Sequence, residues 1–97
     1  MLENIKKKYS DLTLDELYSI LKLRNEIFIV EQKCYYNDID NIDKESLHFF
    51  NKKDGEVISY LRIYRDKNHH IGRVLVDKKH RGNGVSTRLM QLSLIHI

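Results

Sequence analysis

The sequence predicts one small α+β domain, a mixed α/β arrangement of a long helix, three antiparallel strands, a glycine loop and the start of a second helix. Three observations carry this. A helix-capping signature opens an amphipathic stretch at Thr13. A β-rich run from Val57 to Arg65 follows an Asp-Gly turn. Two glycines then separate a short apolar strand from a closing helical segment.

Taken in order, residues Ile5 to Leu12 are short and ambiguous, and an edge strand is the regular structure that suits them. Thr13-Leu14-Asp15-Glu16 forms a capping box: Thr13 accepts from the Glu16 amide while Glu16 reaches back to Thr13. Leu14, Leu17, Tyr18, Leu21 and Phe28 recur at helical spacing, which predicts a helix to about Gln32. Its last turns, Ile27 to Val30, are apolar nearly all round and so call for burial on more than one side. Between Tyr35 and Glu45, Asn37, Asp38, Asp40, Asn41 and Asp43 are loop residues, because short polar side chains bond the local backbone. Strands are expected at Leu47 to Asn51, Val57 to Arg65 and Ile71 to Val76, with turns at Asp54-Gly55 and at Asp66 to His70. The chain becomes helical again from Ser86.

With 97 residues the chain suits one domain, whose modest core leaves a small margin of stability. A hydrophobic share of 41% beside 32% charged residues is that of a folded soluble chain. No apolar run is long enough to cross a bilayer, and Met1 to Asp11 lacks the apolar stretch of a secretory signal. Cys34 is the only cysteine, so no internal disulfide forms; together these features predict a cytoplasmic protein. The net charge of +3 is small and acidic residues are interspersed, which argues against nucleic acid as a partner.

The stretch that carries chemistry is Val74-Leu75-Val76, then Arg81-Gly82-Asn83-Gly84-Val85-Ser86-Thr87. A strand ends, glycines turn the chain, and a helix begins with unpaired N–H groups and a partial positive charge. That is a cradle for phosphate or pyrophosphate, to which Arg81 can add a forked contact and Thr87 a hydroxyl. On the loop alone, an anion site and an ordinary turn remain equal alternatives. It is not a Walker loop, and it lacks the three-glycine dinucleotide pattern.

At this point the chain resembles a family. Val74 to Met90 is similar to motif A of the GNAT superfamily: Gln or Arg, two residues, Gly, one residue, then Gly or Ala. Here these positions are Arg81, Gly84 and Ser86, the last departing from the pattern while staying small. Leu23-Arg24-Asn25-Glu26-Ile27-Phe28-Ile29-Val30-Glu31-Gln32, with Cys34, Tyr36, Asp38, Asp40 and His48, resembles the ElaA-like branch of that superfamily.

The resemblance implies an acetyl-CoA-dependent N-acetyltransferase acting on a small-molecule or peptide amine. It places the pantetheine arm along Val74, Leu75 and Val76, where a backbone N–H can also stabilise an oxyanion. It places the pyrophosphate on Gly82, Asn83, Gly84, Val85, Ser86 and Thr87, beside Arg81. The family's usual general acid, a tyrosine on a later helix, has no counterpart here, so no catalytic residue is assigned and this chain is expected to be a weak or inactive acetyltransferase. Leu92-Ser93-Leu94-Ile95-His96-Ile97 resembles a translated sequencing adaptor, so residues 1–91 are read as a partial domain and 92–97 as a non-native tail. The alternative functions are a non-catalytic acetyl-CoA-binding module and, less well supported, a small basic nucleic-acid-binding domain.

Other residues have two readings each. Asp38, Asp40, Asp43 and Glu45 either hold a cationic acceptor or form a solvated turn, the turn being favoured. Glu31 is either a base or a surface carboxylate, again favouring the surface role. His48 and His80 fit structural or solvated roles, and His69-His70 lacks partners at metal-ligand spacing, so no metal site is expected. Tyr60 and Tyr64 share a strand face and are expected to pack. Lys78 and Lys79 can attract an anionic ligand towards the loop.

Overall fold

A computed structural model describes residues 2–33, 35 and 37–94, apart from the side chains of Leu2 and Ser86. Cys34, Tyr36 and residues 95–97 lie outside the described residues, and with them the expectations for Cys34, for the Tyr36 position of the resemblance and for the end of the tail.

The capping box forms as read: Thr13 Oγ1 accepts from the Glu16 amide at 3.0 Å, and Glu16 Oε1 accepts from the Thr13 amide at 2.9 Å. It opens α1, Leu14–Arg24. The helix does not continue regularly to Gln32. From Asn25–Glu31 it widens to π geometry, with the Gln32 amide donating to the Ile27 carbonyl at 2.9 Å. The wider turn shifts the angular spacing, so Ile27 stays in the core while Glu31 swings towards the loop after the last strand.

The sheet has four antiparallel strands rather than the three expected, in the order β1-β2-β3-β4. They are β1 Leu2–Lys8, β2 Leu47–Lys53, β3 Glu56–Arg65 and β4 His69–Val76. The added strand is the ambiguous N-terminal stretch. Its lysines obscure any alternation because an edge strand faces water on one side. Lys7 is bound from α1, donating to both carboxylate oxygens of Glu16 at 2.8 and 3.0 Å. The Asp-Gly turn between β2 and β3 has both residues at positive φ, 53° for Asp54 and 82° for Gly55, which matches the strand twist of a two-residue hairpin.

Each sheet face buries one helix. On one face Phe50, Tyr60 and Leu75 pack with Ile20 and Leu23 of α1 and with Ile27. On the other, Phe49, Leu61 and Ile63 pack against Leu89 of α2, Val85–Leu94. Residues 92–94 of the expected tail continue this helix, and the buried Ser93 hydroxyl donates to the Met90 carbonyl at 2.7 Å.

Glu16 joins three elements, since Lys52 of β2 also reaches it at 2.9 Å. Burial alone raises its pKa, but hydrogen bonds from Lys7, the Thr13 amide and Lys52 outweigh that and bring it from 4.5 to about 2. A carboxylate held this low stabilises the fold above its unfolded value, and the contribution drains away as pH falls from about 4.5 to about 2. Its size is about 2 kcal/mol after discounting for solvent around the lysine ends. Urea denaturation at pH 7 and at pH 3 should show this loss, and Glu16→Gln should flatten the slope within that window. An unchanged slope in the variant would contradict the assignment.

Candidate functional site

β4 is the open edge of the sheet. The Asp77 amide donates inward to the Ile58 carbonyl at 2.7 Å, whereas the Val76 carbonyl points outward and accepts from Arg81 Nε at 3.0 Å. Main-chain groups alternate sides along a strand, so Val74 presents its amide and carbonyl to the same open side as Val76. The Val74 side chain is 38% exposed, while Leu75 between them is buried in the α1 core. Two clefts flank this edge. One, of about 300 Å³, is lined by Ile27, Gln32, Val74, Leu75, Val76 and Arg81. The other, of about 250 Å³, is lined by Val74, Thr87, Met90 and Gln91.

The edge leads into the glycine loop. Gly82 and Gly84 adopt φ of 85° and 72°, conformations that a side chain strains. A Cβ at either position would meet nothing within 4 Å, so the glycines serve the turn itself and leave clear space in front of it. The Arg88 amide donates to the Gly84 carbonyl at 3.1 Å and closes the first turn of α2. The amides before it, from Val85 to Thr87, are the donors that a helix start leaves without intrahelical partners. Val85 is buried and anchors the helix, whereas Gly82, Asn83, Gly84 and Thr87 are exposed. The Ser86 side chain lies outside what is described.

Arg81 is engaged differently from a simple phosphate ligand. Its fork donates to both Glu31 oxygens at 2.7 and 2.6 Å, while Nε holds the Val76 carbonyl. The guanidinium beside Glu31 holds that carboxyl below its usual range, which keeps it ionised and makes it a poor base. Glu31 and Arg81 thus form a clamp that ties the π-helical turn to the loop.

The three aspartates of the acidic loop neither solvate freely nor stand as open carboxylates, whereas Glu45 is exposed. Arg24, only 1% exposed, bridges Asp38 at 2.9 Å and Asp43 at 2.8 Å. Arg62 bridges Asp43 at 2.9 Å and Asp40 at 2.7 Å. Arg73 bridges Asp40 at 3.3 Å and Asp38 at 2.9 Å. Three arginines and three aspartates therefore alternate in a closed ring. The Arg62 hydrogen bond is the main reason that the Asp40 carboxyl lies below its usual range. The arginines come from α1, β3 and β4, 14 to 35 residues away from their partners. The sequence signal for the ring was Arg24 itself, a charge four residues after Ile20 on the buried helix stripe.

Next to the ring, His48 Nε2–H donates to the Asp43 carbonyl at 2.8 Å, and Nδ1 accepts from the Tyr60 hydroxyl at 2.6 Å. The tautomer follows from the carbonyl, which can only accept. Burial is the main cause of a lowered His48 pKa, so the ring stays neutral, as a structural histidine would. Burial likewise raises the Tyr60 pKa, and Tyr60 packs under Arg24, 5.7 Å from its guanidinium carbon. Tyr64 stacks on His70 at 4.8 Å, and His80 contacts Asp77 at 3.1 Å.

Arg73 occupies an unusual backbone position. Its φ is 54°, in the middle of a strand. The β3–β4 register shifts at this point, Tyr60 facing Leu75 and Arg62 facing Gly72, so Arg73 and Val74 together oppose Leu61. This is a bulge, and the left-handed conformation costs a non-glycine residue about 1–2 kcal/mol.

Residues 7–97 match the family model described as an acetyltransferase (GNAT) domain. A UPF0039 protein of Schizosaccharomyces pombe is 38% identical over 96% of this chain and 64% of its own length. Protein ElaA of Escherichia coli is 37% identical over 89% of this chain and 60% of its own length. The chain thus spans about three-fifths of these relatives. The crystal structure of Escherichia coli ElaA superposes with a TM-score of 0.94 at 35% identity, over 99% of this chain and 69% of that one. That of an acyl-CoA N-acyltransferase from Pseudomonas aeruginosa gives 0.92 at 38% identity, over 98% and 69%. The sheet, the helix on each face and the sequence match agree: this chain belongs to the GNAT acetyltransferase family.

Proposed function

We propose that this chain forms the acetyl-CoA-binding part of an amine N-acetyltransferase. The observation that carries the reading is one continuous open surface, from the outward-facing main chain of Val74 and Val76, past Gly82 and Gly84, to the start of α2. The Val74 carbonyl and the Val76 amide pair with the amides of a pantetheine arm as an added strand would. The amides of Gly82 to Thr87 hold the diphosphate, supported by the helix dipole, while Lys78 and Lys79 add positive charge nearby. The Val76 carbonyl is already taken by Arg81, so Arg81 serves by fixing the turn, with its remaining N–H groups directed to phosphate. When bound, acetyl-CoA supplies the activated acyl group, and the outward Val74 amide is the chain's own donor for charge developing on the acyl oxygen. The acceptor is an amine, and no residue of this chain is assigned as base or acid.

Calorimetric titration with acetyl-CoA tests the reading. Saturable one-to-one binding is expected, and acetate at equal concentration should give none. Absence of binding at millimolar acetyl-CoA would remove the proposal. Steeply salt-dependent binding to duplex DNA in its place would favour the nucleic-acid alternative.

A further inference from the structure

We infer that Arg73 is a positioning residue whose side chain, tied to Asp38 and Asp40, holds β4 in the bulge that presents Val74 at the open edge. The inference rests on the reading of that edge as the acyl-CoA site.

The backbone gives the first reason. Gly72 immediately precedes Arg73 and can take positive φ without strain, yet the left-handed conformation falls on Arg73. Local preference therefore does not place the bulge, and something must hold Arg73 there. The side chain supplies the hold, with Nε on Asp38 Oδ1 at 2.9 Å and Nη2 on Asp40 Oδ2 at 3.3 Å. The anchor is itself fixed, because Arg24 grips Asp38 and Arg62 grips Asp40. Such an anchor can resist the relaxation of Arg73 to an extended conformation.

The consequence reaches the edge directly. Val74 follows Arg73 and shares its place opposite Leu61. If the bulge relaxes or slips by one residue, the alternation of main-chain groups reverses, and the Val74 amide turns towards β3. The pantetheine contacts are then lost, while the glycine loop and the start of α2 keep their own conformation. Arg73 thus controls one end of the ligand site and leaves the other alone.

That split supplies the test. Arg73→Gly accepts positive φ freely, so any loss in this variant comes from the missing side chain and not from backbone strain. Calorimetric titrations would compare acetyl-CoA with adenosine 3′,5′-bisphosphate, which keeps the nucleotide end and lacks pantetheine. Arg73→Gly should weaken acetyl-CoA binding at least tenfold and leave the nucleotide within twofold of wild type. Arg73→Lys, which keeps the charge but loses the fork, should fall between. If Arg73→Gly unfolds by circular dichroism, Arg73→Lys carries the comparison alone, with a loss for acetyl-CoA of threefold or more expected. Wild-type affinity for acetyl-CoA in the variant overturns the inference, as does an equal loss for both ligands, which marks general damage. Wild-type protein that binds neither ligand overturns the underlying site reading instead.

Discussion

Arg24→Met should lower folding stability by about 3–5 kcal/mol, the usual penalty for removing one partner from a buried ion pair. Arg24 is the most deeply buried arginine of the ring and bridges two carboxylates, so its loss leaves Asp38 and Asp43 each short of a partner in a dry site. Methionine replaces the volume and none of the five donors. A domain this small holds about 5 kcal/mol in all, at roughly 0.05 kcal/mol per residue, so the variant should keep little stability at 25 °C. Arg24→Lys should fare little better, because an ammonium cannot bridge two carboxylates with a planar fork. Glu31→Gln, on the exposed clamp, should change stability by less than about 0.5 kcal/mol. Urea unfolding followed by circular dichroism measures both, and a loss below about 1 kcal/mol in Arg24→Met would show that the ring contributes little.

Gly84→Val should weaken acetyl-CoA binding at least tenfold and leave the fold intact. At φ of 72° a β-branched residue is strongly disfavoured, so the turn must change shape to accept it. No clash with the protein forces the change, since a Cβ at Gly84 meets nothing within 4 Å. The damage is therefore confined to the loop and to the space that a ligand would enter, with a stability cost of about 1–3 kcal/mol. Arg81→Ala should also weaken binding, by a different route: the Val76 carbonyl and Glu31 lose the group that ties them to the turn. Calorimetry separates the two cases from unfolding, and unchanged affinity in both variants would remove the loop from the site.

The parts of the fold that were legible in the sequence are those written in neighbouring residues. Thr13 and Glu16 cap each other across three positions, Asp54-Gly55 makes its own turn, and the glycines after β4 announce a change of direction. Within the proposed site, the strand-loop-helix order from Val74 to Thr87 was readable for the same reason. What was not legible depends on distant partners. Lys7 hides β1 until Glu16 receives it from another element. The acidic loop reads as solvated because Arg24, Arg62 and Arg73 are remote in sequence and meet it only when the sheet and α1 assemble. The π-helical turn and the Arg73 bulge are backbone adjustments to packing, and no local residue preference signals either. Arg81 read as a phosphate ligand because Glu31, fifty residues earlier, gave no hint of facing it.

Amide-resolved NMR of the 97-residue chain, titrated with acetyl-CoA, tests the cofactor site most directly. The expected result is a set of saturable shifts at Val74 to Val76 and at Gly82 to Thr87, with the amides of β1 at the opposite sheet edge unmoved. No shifts at saturating ligand, or shifts confined to other elements, would contradict a site at the β4 edge and the start of α2.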